Sequence, residues 1–327
     1  MARAWLTGTV LLTVGAFAAA IAFAPSTGSH PERLLVWLLF VGSSMHVAST
    51  GWFATVPEVR AHAATHPQRY LVAPLVLVVV SATAAAVTAP GTLRWFLLVF
   101  FAWQFFHFQR QNLGLAALAG VSSGVGSLRS AERRAITVAG VAGIVALVSH
   151  PELLQVAVDP RLRWVFPAAV VAFVGAVLVG AWAMSRRRSD ERTGPLVAVY
   201  AMSLLFFVPV FVFQSPYAAV AGLTIAHGLQ YLLLMALVAR GRAEGGVRTR
   251  SLVLLADIAV LGGLALNVFS HQHDGSPAAR ALFGVYLGVV MAHFVVDAGL
   301  WRLRDAFPRR LLGDRVPDLV GAPDALG

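Results

Sequence analysis

Long apolar runs, separated by short polar ones, dominate the chain. A run of about 20 apolar residues is enough to cross a bilayer as a helix. Ten such runs can be drawn: 5–24, 34–54, 70–88, 93–112, 135–149, 164–184, 195–213, 217–238, 251–270 and 281–303. The first begins just after Arg3 and is long for the core of a signal peptide. A Pro25-Ser-Thr-Gly turn comes after it, so it is read as a retained helix. The pattern predicts an all-α fold: a polytopic integral membrane helix bundle of about ten transmembrane helices. Residues 1–305 form one transmembrane domain, and residues 306–327 form a short, polar, loosely ordered cytoplasmic tail.

Composition supports this class. Of 327 residues, 58% are hydrophobic and only 12% are charged, where a soluble domain carries about 25% charge. The formal net charge of +10 sits in short loops. The segments assigned to one side hold most of the arginines, including the runs Arg186-Arg187-Arg188 and Arg309-Arg310. The other side holds Arg33, Arg94, Arg161, Arg163 and Arg280. This bias places both termini in the cytoplasm of a multi-pass protein of the cell inner (plasma) membrane. It also accounts for the charge without nucleic acid. There is no cysteine, which removes disulfides, thiolate ligands and iron–sulfur clusters. There is no lysine either, which removes Schiff-base chemistry of the retinal type.

Ionisable residues at membrane depth are costly and mark function. Four of the ten histidines fall inside apolar runs: His46, His107, His227 and His293. In the predicted topology their four helices run the same way. The histidines lie within a few residues of one depth, a slab of roughly 8 Å at about 1.5 Å per residue. They are expected to converge on one centre. Each has polar neighbours on its own helical face: Thr50 beside His46; Gln104, Arg110 and Gln111 beside His107; Thr224 and Gln230 beside His227. Asp297 stands one turn beyond His293. Asp257 is the other acid within a span, and pairing with an arginine explains it as well as chemistry does.

A nitrogen-rich set with one carboxylate and no thiolate suits a transition metal. Iron is expected first, with copper, zinc or haem as alternatives. Asp297 is expected as a ligand or as an orienter of an imidazole. Arg110, Gln111, Gln230 and Asp297 are the expected catalytic side chains, holding substrate or bound oxygen. A second metal set is Glu58, His62 and His66, spaced at i, i+4 and i+8 in the loop after the second run. The wet face of an interfacial helix would have the same spacing. The resulting expectation is a metal- or haem-dependent oxidoreductase or oxygenase. Its substrate is a hydrophobic small molecule arriving through the lipid bilayer, and it needs an electron donor. The alternative is a proton-coupled transporter that uses the same His and Asp residues as a relay.

Overall fold

The computed structural model describes residues 2–25, 31–242, 245–273 and 275–320. The turn expected at Ser26-Thr-Gly, His30 and the end of the tail, 321–327, lie outside the described residues. All regular structure among the described residues is helical. Seven helices are long and apolar enough to cross a membrane: Ala4–Ala22, Arg33–Thr55, Gln68–Val87, Arg163–Ser185, Tyr217–Arg240, Gly246–Ser270 and Pro277–Leu300. This is the architecture of a multi-pass membrane protein. Exposed side chains say the same. Leu71, Leu75 and Val79 succeed one another at helical spacing and are each more than half exposed, an apolar stripe that calls for lipid.

The other three expected runs are helical in different ways. The run 93–112 lies inside the 33-residue helix Pro90–Ser122, and 135–149 lies inside Ser130–Ser149. The run 195–213 is not one helix. It breaks after Leu205 and resumes as Val208–Val212. Pro209 has no N–H to give to the preceding turn, and its ring clashes there. The tail also differs from expectation. Residues 306–320 form the helices Ala306–Arg315 and Pro317–Val320, with Leu311, Leu312, Val316, Leu319 and Val320 buried.

Contacts divide the chain into two compact units, Met1–Leu38 with Leu97–Gln230 and Leu39–Phe96 with Tyr231–Gly327. In the first unit, Ser130–Ser149 packs along Phe166–Ser185, and Ala2–Ala22 packs on Gly194–Leu205. Gly140 and Gly143 leave room for the Gln109 side chain and the Phe207 ring. One end of the unit is tied by a buried ion pair. Arg187 donates from Nε to Glu132 Oε1 at 2.6 Å and from Nη2 to Glu132 Oε2 at 2.8 Å. The same carboxylate accepts the Arg129 backbone N–H that opens the helix Ser130–Ser149. A hydrogen bond to Glu132 raises the Arg187 guanidinium above the usual arginine value.

In the second unit, Pro277–Leu300 lies against Ala73–Val87. Gly284 and Gly288 form a small-xxx-small pair that lets the two backbones approach closely. A Cβ on Gly284 would stand 2.3 Å from the Ser81 carbonyl oxygen, and one on Gly288 would stand 2.5 Å from Val78 Cα. Arg280 closes this pair of helices by donating to the Thr88 and Ala86 carbonyls, which the helix end leaves without partners.

Two outcomes test this packing. Gly284→Ala or Gly288→Ala is expected to lower the unfolding midpoint in detergent, at a cost of about 1–3 kcal/mol for overpacking. Gly175→Ala, where a Cβ would meet nothing within 4 Å, should leave it unchanged. Glu132→Gln should cost more, about 3–5 kcal/mol, because it strands the buried Arg187 charge. Thermal unfolding monitored by circular dichroism measures all three.

Candidate functional site

The second unit brings three of the expected residues together. His46 comes from the segment Arg33–Thr55, and His293 and Asp297 come from Pro277–Leu300. All three are buried. The His46 and His293 ring centres are 5.1 Å apart and nearly perpendicular. A nitrogen of His46 lies within 4.8 Å of one of His293. His293 Nε2 is 3.7 Å from Asp297 Oδ2.

Local irregularity sets the direction of these side chains. Residues Val41–Met45 form a π-turn, His46–Ser49 return to α, and Thr50–Thr55 tighten to a 3-10 helix. Each change of winding rotates the residues beyond it about the helix axis. Thr50, one turn beyond His46, reaches side chains of two other helices. Its Oγ1 is 2.7 Å from His293 Nδ1 and 2.9 Å from the Tyr231 hydroxyl. Tyr231 donates in turn to Asp297 Oδ1 at 2.9 Å.

Donor counting fixes the protons in this chain. A threonine hydroxyl has one hydrogen, as does a tyrosine hydroxyl. With Asp297 ionised, the Tyr231 hydrogen goes to the carboxylate. The Thr50 hydrogen then goes to the Tyr231 oxygen, and Thr50 must accept from His293 Nδ1–H. In that state His293 carries a proton on Nδ1, and its Nε2 lies beside the Asp297 carboxylate. Fixing the tautomer of a ligand histidine through its other nitrogen is a common arrangement at metal sites.

The first unit holds the other pair. His107, from Pro90–Ser122, and His227, from Gly222–Arg240, have ring centres 5.1 Å apart at 76°. Phe108 stacks on His227 at 3.9 Å. Gln111 donates to the His227 carbonyl at 3.1 Å and to Gln230 Oε1 at 3.3 Å. Gln230 donates to Thr13 Oγ1 at 2.7 Å. Gln111 and Gln230 thus form a polar clasp between helices beside this pair. Arg110 lies elsewhere: it is exposed, on the same outward stripe as Phe106 and Gly114.

No family model, curated protein or solved structure matches this chain. Its chemistry is read from its own geometry.

The loop after the second run is the helix Pro57–Thr65, as its prolines suggest. It sets the His62 and His66 rings 4.3 Å apart. The His62 ring also stacks on Phe307 at 3.9 Å. His66 Nδ1 lies 2.9 Å from Thr65 Oγ1 and 3.1 Å from the His62 carbonyl. Glu58 faces Arg315 at 3.8 Å. Burial, with the His66 and Arg69 charges nearby, holds the His62 imidazolium below the usual histidine value. Asp257 is exposed at the start of a second π-turn, Ile258–Gly262.

Sequence reading missed Tyr231 and Thr13. Tyr231 stands next to Gln230 and one turn after His227, a spacing that drew no attention to its hydroxyl. Thr13 lies in a first helix with no other chemical signal. Thr50→Val is expected to destabilise the protein by roughly 1–3 kcal/mol, because it leaves buried partners unsatisfied. Thr55→Val should change little, since that hydroxyl bonds the Trp52 carbonyl of its own helix. Thermal unfolding compares the two.

Proposed function

We propose that this protein is a membrane-embedded, metal-dependent oxidoreductase. His46, His293 and Asp297 would hold the metal, with His107 and His227 as a second imidazole pair. The observation that carries this reading is two buried close pairs that share one imidazole, His46 with His293 and His293 with Asp297. Metal–nitrogen and metal–oxygen bonds are about 2.0–2.2 Å, so two donors on one ion stand at most about 4.4 Å apart. The 3.7 Å between His293 Nε2 and Asp297 Oδ2 is inside that limit. An imidazole centre lies roughly 3.2 Å from a metal bound through one of its nitrogens. Two rings bound at about 90–110° would then have centres about 4.5–5.2 Å apart. Both pairs stand at 5.1 Å.

That spacing favours a non-haem ion. Two histidines on opposite sides of a haem iron would have centres near 6.4 Å by the same bond lengths. Two imidazoles and one carboxylate, with positions left open, are the donor set of non-haem Fe(II) oxygenases, so iron comes first, ahead of copper or zinc. Such an ion would supply redox chemistry. Asp297 would balance its charge, and the Thr50–Tyr231 link would hold the His293 tautomer. We place the site in a bundle of ten crossings with both termini cytoplasmic, in the cell inner membrane. A lipophilic substrate then reaches it from the bilayer, and an electron donor completes the cycle.

One observation favours a second reading. The links His293–Thr50–Tyr231–Asp297 form a continuous hydrogen-bonded chain of the kind that moves protons in a proton-coupled transporter. Elemental analysis and an optical spectrum of purified protein separate the two. Stoichiometric iron, reduced at least tenfold in His293→Ala and Asp297→Ala without loss of helical signal, is the expected result. Metal-free, colourless protein that drives pH-dependent uptake into liposomes would replace the first reading with the second.

A further inference from the structure

The second unit also contains a cavity of about 900 Å³. Its walls are chain segments where membrane-crossing helices end or begin. They are the close of Arg33–Thr55 with the start of Pro57–Thr65, the end of Gly222–Arg240, the opening turns of Gly245–Asp257, and Ala306–Arg315. Five arginines line it: Arg240, Arg242, Arg250, Arg310 and Arg315. Among the described residues only two carboxylates join them, Glu58 and Asp314, and Glu58 already faces Arg315. Most of the remaining wall is apolar, with Trp52, Val56, Leu254 and Leu311, interrupted by the hydroxyls of Thr55 and Ser251. The Arg315 guanidinium lies over the Trp52 ring at 5.5 Å.

We propose that this cavity binds the headgroup of an anionic phospholipid. Helix ends place it at the level where hydrocarbon gives way to headgroups, so lipid is the ligand within reach. Guanidinium groups fork onto phosphate oxygens, which makes arginine the residue suited to this anion. The apolar wall continues along Leu254 into a membrane-crossing helix and gives the acyl chains a surface to run along. Basic pockets at the ends of transmembrane helices are a recurrent form of lipid recognition. Positive-inside sorting accounts for arginines in loops. It does not account for five of them, drawn from three segments of the chain, around one cavity with an apolar side. The inference is independent of the metal reading.

Delipidated full-length protein in neutral detergent tests it. The probes are dioleoylphosphatidylglycerol, dioleoylphosphatidylcholine and inorganic phosphate, read by thermal shift and native mass spectrometry. Phosphatidylglycerol is expected to raise the unfolding midpoint by several degrees and to stay bound, while the other two do neither. Arg250→Gln/Arg310→Gln should weaken retention of phosphatidylglycerol at least fivefold. Arg134→Gln/Arg192→Gln, which removes the same charge outside the cavity, should not. Equal retention of both lipids, equal loss in the two double variants, or protection by inorganic phosphate alone would each overturn the assignment. If the first double variant does not fold, Arg242→Gln and Arg250→Gln are read singly against the same lipids.

Discussion

A polar group on a helix inside hydrocarbon has no water to turn to, so it must find its partner in protein. That constraint shapes the interior of both units. Buried threonines, glutamines, histidines and one aspartate are joined side chain to side chain, while the outward faces carry valine and leucine. The chain His293–Thr50–Tyr231–Asp297 is its fullest expression. Each hydroxyl there has one proton to give, so the proton positions along the chain are tied to the protonation state of one carboxylate. A site assembled in this way has little freedom to rearrange, which suits a centre whose ligands must be held before anything binds.

The same constraint explains why small residues matter in this fold. Lipid tails are as apolar as leucine, so association between helices depends on close packing and hydrogen bonds. Gly284 and Gly288 bring Pro277–Leu300 onto the backbone of Ala73–Val87, and Arg280 pins the end of that contact. This fixes the helix that carries both His293 and Asp297. In the first unit, Gly140 gives way to Gln109 and Gly143 to Phe207. Stability and site geometry thus rest on the same few positions where a side chain is absent.

Much of this was legible in the sequence. Apolar runs of span length located the helices, and the four histidines and Asp297 stood out because their types are costly at that depth. What they touch was less legible. One-turn spacing paired Thr50 with His46, yet the Thr50 hydroxyl reaches His293 and Tyr231, partners far away in the chain. Arg110 read as a neighbour of His107, but it shares its outward face with Phe106. Pro209 marks a break visible in the sequence, although the run around it is apolar throughout. Tyr231 and Thr13 act through contacts more than 60 residues away in the chain, and no local pattern reports such partners.

The π-turn at Val41–Met45 carries a consequence of its own. Such a turn holds one residue more than the α-helix around it needs. Removing that residue would leave a regular, membrane-length helix with its apolar character intact. Five residues at π winding cover about the same rotation as four at α winding, so side chains beyond the turn would keep their direction and His46 would stay beside His293. The extra residue can therefore be lost or gained while the side chains beyond it keep their phase. The length of this segment is thus less tightly bound to the centre than the identity of the residues that build it.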